Sequence, residues 1–376
     1  MKKRILHVLH HDGPGGGPQI MISLIRYLSA DYDQAVFGGG QGTLHAYCTS
    51  NGIDYKDAGF TKTATWFLAV PGLLKMFRRF KPDVVITHGQ SAGPVGGLAC
   101  RLAGLHNLFY LAQWPAFYTD WDTYRLLRNR FSEWLACRFA RKVVTFTPSS
   151  RHQFVLRRLV DEEQVMDIPA AFFDDHVPRA DEIEALKNEH GWQRDELHVV
   201  SVGRLADQKN VALLIKSWPG VVARIPQARL WIVGDGGDRP GLEALAGSLG
   251  ISSSCHFLGY RNNARAFIAA ADLLVVTSMY ESFGYVALEG CACGTPVLAS
   301  KVDGLMDVIE DGKQGYLVPP GSPPELRNKI IQMLEDSSLR DRMAREGMQH
   351  ATRFRPDAVY PAWVDLIESA TRSALA

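Results

Sequence analysis

The sequence predicts an α/β protein with two domains, each a parallel β-sheet covered by helices. Short apolar runs alternate with amphipathic stretches along the chain, which is the pattern of such folds. This pattern stops in a polar, acidic stretch from Asp174 to Glu196 and starts again near Leu197. A chain of 376 residues also suits two domains of about 180 residues each.

The predicted strands are short apolar runs bounded by polar or turn residues. In the first half they cover Arg4–Leu9, Gln34–Phe37, Val84–Thr87, Leu108–Leu111 and Val143–Thr147. In the second half they cover His198–Val202, Arg229–Val233, Cys255–Leu258, Leu273–Val276 and Val297–Ala299. Helices are predicted between them, for example over Val211–Arg224, Gly241–Leu249 and Glu325–Glu335.

The restart of the pattern predicts a domain boundary near residue 178, with an N-terminal domain over 1–178 and a C-terminal domain over 179–355. The last segment, 356–376, contains a predicted helix with Trp363, Leu366 and Ile367 on one apolar face. Because no strand follows for this helix to cover, we expect it to pack back on the N-terminal domain.

The charge distribution excludes a general nucleic-acid binder, which usually carries a broad basic excess, because the formal net charge is only +1. The total hides an asymmetry between the halves. Residues 1–178 carry 20 Lys and Arg against 15 Asp and Glu, a net charge of +5, and residues 179–376 carry 21 against 25, a net charge of −4. We therefore expect the two halves to face different partners.

Several features indicate a cytoplasmic protein. The six cysteines are scattered, and only Cys291 and Cys293 lie close together, without the spacing of a zinc or redox site. The first apolar run is too short, and its end too polar, for a signal peptide. No apolar run approaches the roughly 20 residues of a membrane span.

The strongest functional signal is the segment from Tyr280 to Val297, YESFGYVALEGCACGTPV. Glu281 is predicted in a loop, and Glu289 about two turns along a helix that starts near Phe283, roughly 12 Å away at 1.5 Å per residue. That distance matches the span from the sugar to the ribose of a nucleotide sugar, and both carboxylates can accept hydrogen bonds from hydroxyl groups. The N–H groups at the helix start would face the diphosphate. A surface helix with two solvated glutamates is the alternative, and the surrounding pattern argues against it.

Four further segments of the second half fit the same type of site. They are Val202–Asn210 (VGRLADQKN), Val233–Gly236 (VGDG), Phe257–Tyr260 (FLGY) and Asp311–Val318 (DGKQGYLV). Together with the two glutamates, they resemble glycosyltransferase family 4, the retaining enzymes of the GT-B fold, over nearly the whole second half. The resemblance implies two Rossmann-like domains that face each other across a cleft.

The resemblance also implies roles for individual residues of the second half. Two cations can neutralise a departing diphosphate as a magnesium ion does, although solvated or salt-bridged side chains remain the alternative. The implied diphosphate contacts are Arg204 and Lys209; Glu289 would hold the ribose, Glu281 the donor sugar hydroxyls, and the backbone N–H groups of Ser282, Phe283 and Gly284 the sugar, with Tyr260 or Arg261 near the base.

A glycine-rich stretch, Asp12 to Pro18, lies where the first predicted strand meets the first helix. It is neither a Walker motif nor a strict G-x-G-x-x-G motif. In the family this loop faces the donor diphosphate, which implies that role for Gly15, Gly16 and Gly17. A flexible turn between strand and helix is the alternative.

The chain departs from the family pattern in two places. Family members usually carry a histidine near the donor sugar after the strand that here reads Leu108–Leu111, and this chain has Gln113. His88 is the nearest alternative, and both a structural role and a role at the sugar stay open for it. Asp303 and Gly304 stand where a Gly-Gly pair is usual.

Metal binding is not expected. Two D-x-D triplets, Asp31–Asp33 and Asp120–Asp122, are of the kind that metal-dependent transferases use. The first falls in a predicted turn between a helix and a strand, and the second is predicted to cap a helix. Neither context indicates a metal site.

The implied function is a metal-independent, retaining transfer of a sugar from a nucleotide-diphosphate sugar to a hydroxyl acceptor. A UDP-sugar is favoured over a GDP-sugar, and no cofactor is expected beside this donor. Two other functions stay open, a nucleotide-sugar epimerase of the same architecture and a catalytically silent sugar-binding protein. The presence of Arg204, Lys209, Glu281 and Glu289 argues against silence.

A basic segment with aromatic residues bears on the acceptor. Residues 121–160 carry nine basic side chains against two acidic ones. Within 121–142, seven large apolar side chains recur at the helical period: Trp121, Tyr124, Leu127, Phe131, Trp134, Leu135 and Phe139. This stripe either packs into the N-terminal domain, the interpretation that we favour, or contacts the inner face of an anionic membrane. An anionic or lipid-linked acceptor fits the second interpretation.

Overall fold

The structure, a computed structural model, describes residues 2–10, 12, 16–58, 67–113, 123–172 and 177–372. The chain divides into two compact units. Unit 1 contains Met1–Ala171 and Pro356–Ala376, and unit 2 contains Phe172–Arg355. This boundary lies a few residues before the one expected near residue 178.

Unit 1 is built on a parallel sheet of seven strands. They are β1 (Lys3–Leu9), β2 (Tyr32–Gly38), β3 (Asp54–Asp57), β4 (Val84–His88), β5 (Leu108–Leu111), β6 (Lys142–Thr145) and β7 (Val165–Asp167). The order across the sheet is β3-β2-β1-β4-β5-β6-β7. Because the order reverses between β1 and β4, the carboxyl ends of these two strands form a switch point, where such sheets bind ligands.

Six helices connect these strands among the described residues. They are α1 (Gly16–Leu28), α2 (Thr43–Ser50), α3 (Val70–Phe80), α4 (Ala92–Ala103), α5 (Thr123–Phe139) and α6 (Pro148–Leu156). The apolar sides of α3 and α4 and of strands β1, β2 and β4 share one core, which includes Leu6, Phe37, Leu73 and Val95.

Unit 2 is built on a parallel sheet of six strands. They are β8 (Leu197–Val202), β9 (Ala228–Val233), β10 (Cys255–Gly259), β11 (Leu273–Val276), β12 (Val297–Ser300) and β13 (Gly315–Val318). The order is β10-β9-β8-β11-β12-β13, which is the strand order of a Rossmann fold. The switch point of this sheet lies between β8 and β11.

The helices of unit 2 cover both faces of its sheet. They are α7 (Ala180–Glu189), α8 (Val211–Arg224), α9 (Arg239–Ser248), α10 (Ala264–Ala270), α11 (Tyr285–Ala292), α12 (Leu305–Val308), α13 (Pro323–Glu335) and α14 (Ser337–Ala351). Trp218 on α8 is fully buried and packs in one core with Leu230, Leu273 and Ile330.

The last two helices, α15 (Pro356–Val359) and α16 (Pro361–Arg372), belong to unit 1. The expected apolar face of α16, which consists of Trp363, Leu366 and Ile367, is buried. Glu368 on the same helix lies 2.5 Å from the Lys3 ammonium group of β1. The Tyr360 hydroxyl, between the two helices, donates to the Ser23 hydroxyl of α1 at 2.7 Å. These contacts therefore hold the C-terminal segment against β1 and α1, the first two elements of the chain.

The predicted α/β class with two parallel, Rossmann-like sheets is confirmed, and each predicted strand is present. Three short strands, β3, β7 and β13, were not predicted. The prediction for α11 is wrong at its start, because this helix begins at Tyr285 and not near Phe283. Gly284 before it has φ of +79°, a conformation outside the helix that glycine adopts easily. Glu289 therefore lies about one turn inside α11, and the spacing of two turns does not apply.

Candidate functional site

The switch point of unit 2 is formed by the loops that follow β8 and β11. Hydrogen bonds join the two loops. The Gln208 amide donates to the Tyr280 carbonyl oxygen at 3.0 Å, and the Met279 N–H donates to the Gln208 carbonyl oxygen at 2.8 Å. The Thr277 hydroxyl donates to the Lys209 carbonyl oxygen at 2.9 Å. The side chains of both loops are therefore held at one edge of the sheet.

Lys209 and Glu281 meet at this edge. The Lys209 ammonium group lies 2.5 Å from Oε1 of Glu281, and the Ser278 hydroxyl donates to the same oxygen at 2.8 Å. Both charged side chains are largely shielded from water, with 21% and 10% of their surfaces exposed. The two opposite charges balance each other. A negatively charged ligand group can therefore replace Glu281 beside Lys209, and a positively charged one can replace Lys209 beside Glu281.

Arg204 precedes Lys209 on the loop after β8, and the ends of β8 and β9 approach closely beneath it. A Cβ atom added to Gly234 would lie 1.8 Å from the Gly203 carbonyl oxygen, and both glycines have positive φ. Only glycine fits such an approach. Arg204 itself is exposed and has no side-chain partner among the residues that the structure describes. Its guanidinium group is available to an anion.

Glu289 pairs with a different cation. Nε of Arg265 on α10 lies 2.7 Å from Oε1 of Glu289, and the guanidinium group also lies over the Phe172 ring, 5.7 Å from its centre. Burial raises the pKa of Glu289, and the charge and hydrogen bond of Arg265 oppose this effect. Arg265 therefore holds a carboxylate in a buried position where the carboxylate alone would be unfavourable.

The remaining predicted residues of unit 2 divide by exposure. Ser282 and Phe283 are buried in the turn before α11, and Gly284 is the N-cap residue of this helix. Tyr260 and Arg261 follow β10 and are exposed.

In unit 1, four polar side chains form a chain across neighbouring strands, and the chain ends at the switch point. Nδ1 of His7 on β1 lies 3.0 Å from Nε2 of His88 at the end of β4. On one side, Nε2 of His7 lies 3.0 Å from Oε1 of Gln34 on β2. On the other side, Nε2 of Gln113 lies 3.4 Å from Nδ1 of His88. A Cβ atom added to Gly17, in the first turn of α1, would lie 3.3 Å from Oε1 of Gln113.

Both histidine rings in this chain are buried. Burial lowers the pKa of His7 to about 4, although the hydrogen bond with Gln34 acts in the opposite direction. Burial and the neighbouring His7 ring hold the pKa of His88 well below its usual range. Both rings are therefore neutral at pH 7 and poor acceptors of a proton.

Asp12, the first residue of the glycine-rich stretch, binds the start of helix α2. The Asp12 carboxylate accepts hydrogen bonds from the N–H groups of Gly42, Leu44 and His45 at 2.7 to 3.0 Å. It therefore caps the N-terminus of α2. Gly16 and Gly17 open α1, whereas Gly15 lies outside the described residues.

Comparisons with known proteins divide the chain at the same place as the fold. The family model for Glycosyl transferases group 1 matches residues 182–350, and the model for Glycosyltransferase Family 4 matches residues 14–171. The chain belongs to glycosyltransferase family 4.

A curated relative that matches about half of the chain is named as a glycosyltransferase. The Lipopolysaccharide core biosynthesis glycosyltransferase LpsE of Rhizobium meliloti (strain 1021) is 36% identical over 172 residues, which are 46% of this chain and 49% of that protein. The chain thus spans about half the length of the first curated relatives that it matches.

Two solved structures share the fold. Alr3699/HepE from Anabaena, in complex with UDP and glucose, has a TM-score of 0.87 at 24% identity, covering 98% of this chain and 100% of that chain. WaaG, a glycosyltransferase involved in lipopolysaccharide biosynthesis, has a TM-score of 0.75 at 21% identity, covering 98% of each. The fold of the family 4 chain is therefore of the GT-B type.

Sequence reasoning missed two side chains that complete these clusters. Arg265 is the only charged residue in the short apolar helix α10, ARAFIAA, and His7 is a polar residue inside the apolar strand β1. A polar residue among buried apolar ones was the signal in the sequence that could have identified each side chain. It does not reveal the partner, because the partners come from strands or helices distant in sequence.

The structure describes the first of the two D-x-D triplets of this family 4 chain but not the second. Asp31 follows α1, and Asp33 lies within β2, so the first triplet occupies the expected turn between helix and strand. Asp120–Asp122 lies outside the described residues. Among the described residues, no group of three or more His, Cys, Asp and Glu side chains is arranged to hold a metal ion.

The exposure of the apolar residues on helix α5 differs from our favoured interpretation, in which they pack into the N-terminal domain. Its buried side is formed by Asn129, Glu133, Ala136 and Cys137. The apolar residues Leu127, Phe131 and Trp134 are instead exposed, by 60%, 61% and 44%. The interpretation that this stripe packs into the domain is wrong for these three residues, because helical periodicity identifies a face but not its partner.

Two further residues of that stripe, Trp121 and Tyr124, have no described side chain. In the described part of the chain, no helix combines the length and the apolar character needed to cross a membrane.

Proposed function

We propose that the protein is a glycosyltransferase that moves a sugar from a nucleotide-diphosphate sugar to a hydroxyl acceptor. The observation that carries this proposal is the 2.5 Å contact of Lys209 with Glu281, on a switch point that also bears the exposed Arg204. Cations and hydroxyl-binding carboxylates at one sheet edge suit a ligand with a diphosphate and a sugar. Membership of family 4 supports the same activity.

The donor diphosphate would bind Arg204 and Lys209. A diphosphate brings about two negative charges, which compete with Glu281 for the Lys209 ammonium group. Glu281, held by Ser278, then accepts hydrogen bonds from the hydroxyl groups of the donor sugar. The backbone N–H groups of Ser282, Phe283 and Gly284 would contact the same sugar.

The nucleoside part would extend towards α10 and α11. We assign Glu289, oriented by Arg265, to the ribose hydroxyls. The exposed ring of Tyr260 or the guanidinium group of Arg261 would stack on the base. The solved structure of Alr3699/HepE in complex with UDP and glucose supports a UDP-sugar as the donor.

In unit 1, we assign Gly15, Gly16 and Gly17 of the glycine-rich stretch to the donor diphosphate. Gln113 would contact a sugar hydroxyl in place of the usual histidine. His88 would support Gln113 without exchanging protons itself, because burial keeps its ring neutral.

The proposed transfer retains the anomeric configuration. The acceptor oxygen forms a bond to the anomeric carbon on the face from which the diphosphate leaves. The bond from this carbon to the phosphate oxygen breaks with its electron pair, and that oxygen takes the acceptor's proton. The products are a glycoside and a nucleoside diphosphate, whose charge Arg204 and Lys209 neutralise without a metal ion.

The proposed acceptor is an anionic, lipid-linked glycan at the cytoplasmic face of a membrane. Leu127, Phe131 and Trp134 form an exposed apolar stripe on α5, and Arg128 and Arg130 beside them are exposed too. A helix that combines exposed apolar and basic side chains suits an anionic lipid surface. The relative LpsE is named for lipopolysaccharide core biosynthesis, which supports an acceptor of this chemistry.

Product analysis tests the proposed activity. A thermal-shift screen of nucleotide sugars first identifies the donor, because a bound ligand stabilises the folded protein. The protein is then incubated with that donor, with and without a lipid-linked glycan acceptor. A transferase releases nucleoside diphosphate only when the acceptor is present. An isomerised nucleotide sugar would indicate an epimerase, and binding without any product would indicate a silent sugar-binding protein.

Sedimentation with anionic liposomes at low and high salt tests the membrane contact. We expect binding at low salt that is lost in Arg128→Glu/Arg130→Glu and in Phe131→Ser/Trp134→Ser. Lys56→Glu/Lys75→Glu makes the same change of charge at exposed sites on β3 and α3 and should bind normally. Wild-type protein that stays in the supernatant even at low salt would indicate a soluble acceptor.

A further inference from the structure

We propose that Gln34, His7 and His88 are positioning residues that fix the amide orientation of Gln113. In this orientation Gln113 presents its oxygen, and not its nitrogen, to a hydroxyl group of the substrate. The inference rests on the proposed function for the substrate and goes beyond it by assigning a direction to one hydrogen bond of the site.

The argument starts at Gln34, whose amide orientation is fixed by α1. One end of this amide lies 2.8 Å from the Ile25 carbonyl oxygen and 3.1 Å from the Ser29 hydroxyl. A backbone carbonyl oxygen only accepts hydrogen bonds, so the end that faces Ile25 is the nitrogen. The oxygen of the Gln34 amide therefore faces His7.

This orientation determines which nitrogen of each ring carries its proton. Nε2 of His7 must donate to the Gln34 oxygen at 3.0 Å. A neutral imidazole has a single N–H group, so Nδ1 of His7 accepts, and Nε2 of His88 donates to it at 3.0 Å. By the same rule, Nδ1 of His88 is an acceptor.

Gln113 is the last member of the chain. Because Nδ1 of His88 accepts, the end of the Gln113 amide that faces it at 3.4 Å is the nitrogen. Oε1 of Gln113 then points towards the first turn of α1, where a Cβ atom on Gly17 would lie 3.3 Å from it. The carbonyl group of Ile25 thus determines, across strands β2, β1 and β4, which end of the Gln113 amide faces His88 and which end faces α1.

The position of this oxygen makes its direction relevant to a ligand. The four residues lie on β2, β1 and β4 and after β5, in the order in which these strands adjoin. Gln34 is the third residue of β2 and His7 the fifth of β1, whereas His88 ends β4 and Gln113 follows β5, so the chain of contacts ends with Gln113 at the carboxyl end of the sheet. Gln113 is only half-buried. Its oxygen accepts a hydrogen bond from a hydroxyl group but has no proton to offer a carboxylate or an ether oxygen.

The direct test is nuclear magnetic resonance of wild-type protein with ¹⁵N-labelled histidine rings. We expect both His7 and His88 to carry the proton on Nε2. Gln34→Met and Gln113→Met assign the two rings, because each changes one neighbour and leaves both histidines in place. A proton on Nδ1 of His88 would overturn the inference, because Gln113 would then present its nitrogen.

A binding experiment tests the consequence for the substrate, with UDP and UDP-glucose as probes. Gln113→Met should lower the affinity for UDP-glucose by about fivefold, which is the contribution of one neutral hydrogen bond to binding. Gln34→Met allows both ring tautomers, so it should give a mixture for His88 and a loss between about twofold and fivefold. The affinity for UDP should stay the same in both variants, which a general loss of structure would not reproduce.

Ser29→Ala is the matched control, because it removes an exposed partner of Gln34 and leaves the Ile25 contact. It should retain both tautomers and both affinities. Full affinity for UDP-glucose in Gln34→Met, with mixed tautomers, would show that the orientation does not matter to the ligand. Wild-type protein that fails to bind UDP-glucose contradicts the proposed donor instead, and the tautomers then decide the orientation separately.

Discussion

Units 1 and 2 share the order of their first strands, yet their switch points carry opposite chemistry. Between β1 and β4 the polar side chains are neutral: His7 and His88 are buried and uncharged, and they join Gln34 to Gln113. Around β8 and β11, charged side chains form two pairs, Lys209 with Glu281 and Arg265 with Glu289, and Arg204 adds an exposed charge. The same topology therefore provides the same crevice, and its chemistry comes from a few side chains.

The difference indicates two ways of binding a ligand. Paired charges can change partners, so the unit 2 switch point is suited to a charged ligand such as a diphosphate. A neutral chain with fixed proton positions cannot compensate charge, but it can orient a single hydrogen-bonding group. Substitutions that remove one charge from unit 2, and protonation of the histidines that adds charge to unit 1, test this contrast.

The largest effect is expected for Glu281→Ala. The sugar changes charge and shape in the transition state, whereas the nucleotide is held equally throughout. Turnover should fall by about 10²-fold to 10³-fold, the range for loss of a transition-state contact. The affinity for UDP should stay equal or rise slightly, since Lys209 loses its competing partner. Steady-state kinetics and calorimetric titration with UDP measure the two quantities.

Glu335→Ala is the control for this experiment, because Glu335 forms an exposed ion pair with Arg224. It should change neither quantity. If Glu281→Ala lowers the affinity for UDP as much as the turnover, then Glu281 holds the nucleotide and its assignment to the sugar is wrong.

The second effect concerns the stability of unit 2. Glu289→Ala leaves Arg265 without its partner, and breaking such a buried pair costs about 3 kcal/mol. For a unit of this size, the melting temperature should drop by roughly 6–12 °C. The same variant should weaken UDP binding, because the ribose loses its acceptor. Calorimetric melting and titration with UDP measure the two effects.

The double variant Arg265→Met/Glu289→Met separates these effects. It removes both charges and retains side-chain volume, so it should recover most of the stability but not the affinity for UDP. Equal affinity of wild type and Glu289→Ala for UDP would contradict the assignment of Glu289 to the ribose.

The third effect is acid sensitivity of unit 1. Since the pKa of His7 is lowered to about 4 in the folded protein, the unfolded chain binds more protons between pH 6.5 and 4. The stabilising contribution of the neutral ring is therefore present above pH 6.5 and is lost as the pH falls towards 4. The loss from His7 should reach roughly 3 kcal/mol at pH 4, and His88 should add to it.

Hydrogen exchange followed by mass spectrometry from pH 7 to pH 4 assigns this loss to a unit. Peptides from β1 and β4 should lose protection first. Unit 2 also contains histidines with a lowered pKa, His198, His256 and His350, but they are less deeply buried. His7→Asn, which does not titrate, should flatten the pH dependence. Loss of protection in β8 and β11 before β1 and β4 would contradict the contrast between the units.

The sequence allowed prediction of the interior strands but not of three edge strands. Interior strands of a parallel sheet are covered on both sides and read as apolar runs. β3 and β7 form the two edges of the first sheet and β13 one edge of the second, and edge strands need not be apolar. β3 has the sequence DYKD, and β7 has only three residues, so neither shows the apolar pattern.

The site could be predicted only where its residues share a motif. Glu281, Glu289, Arg204 and Lys209 lie in recognisable segments, whereas the partners Arg265 and His7 do not. The contact of His7 with His88 joins residues 81 positions apart, and it depends on β1 and β4 being neighbours. Strand order is a property of the whole sheet, so no local pattern encodes this contact.

The smallest effect is expected from removal of divalent metal ions. If the fixed cations Arg204 and Lys209 neutralise the diphosphate as it leaves, no ion has to bridge its oxygens. Turnover should then stay within about twofold after treatment with EDTA, less than the effect of losing one hydrogen bond. Arg204→Met should lower turnover with or without EDTA, because it removes half of this charge. A rate that collapses on chelation and returns with manganese would mean that the charged switch point of unit 2 does not suffice. It would also turn attention to the Asp120–Asp122 triplet as a metal ligand.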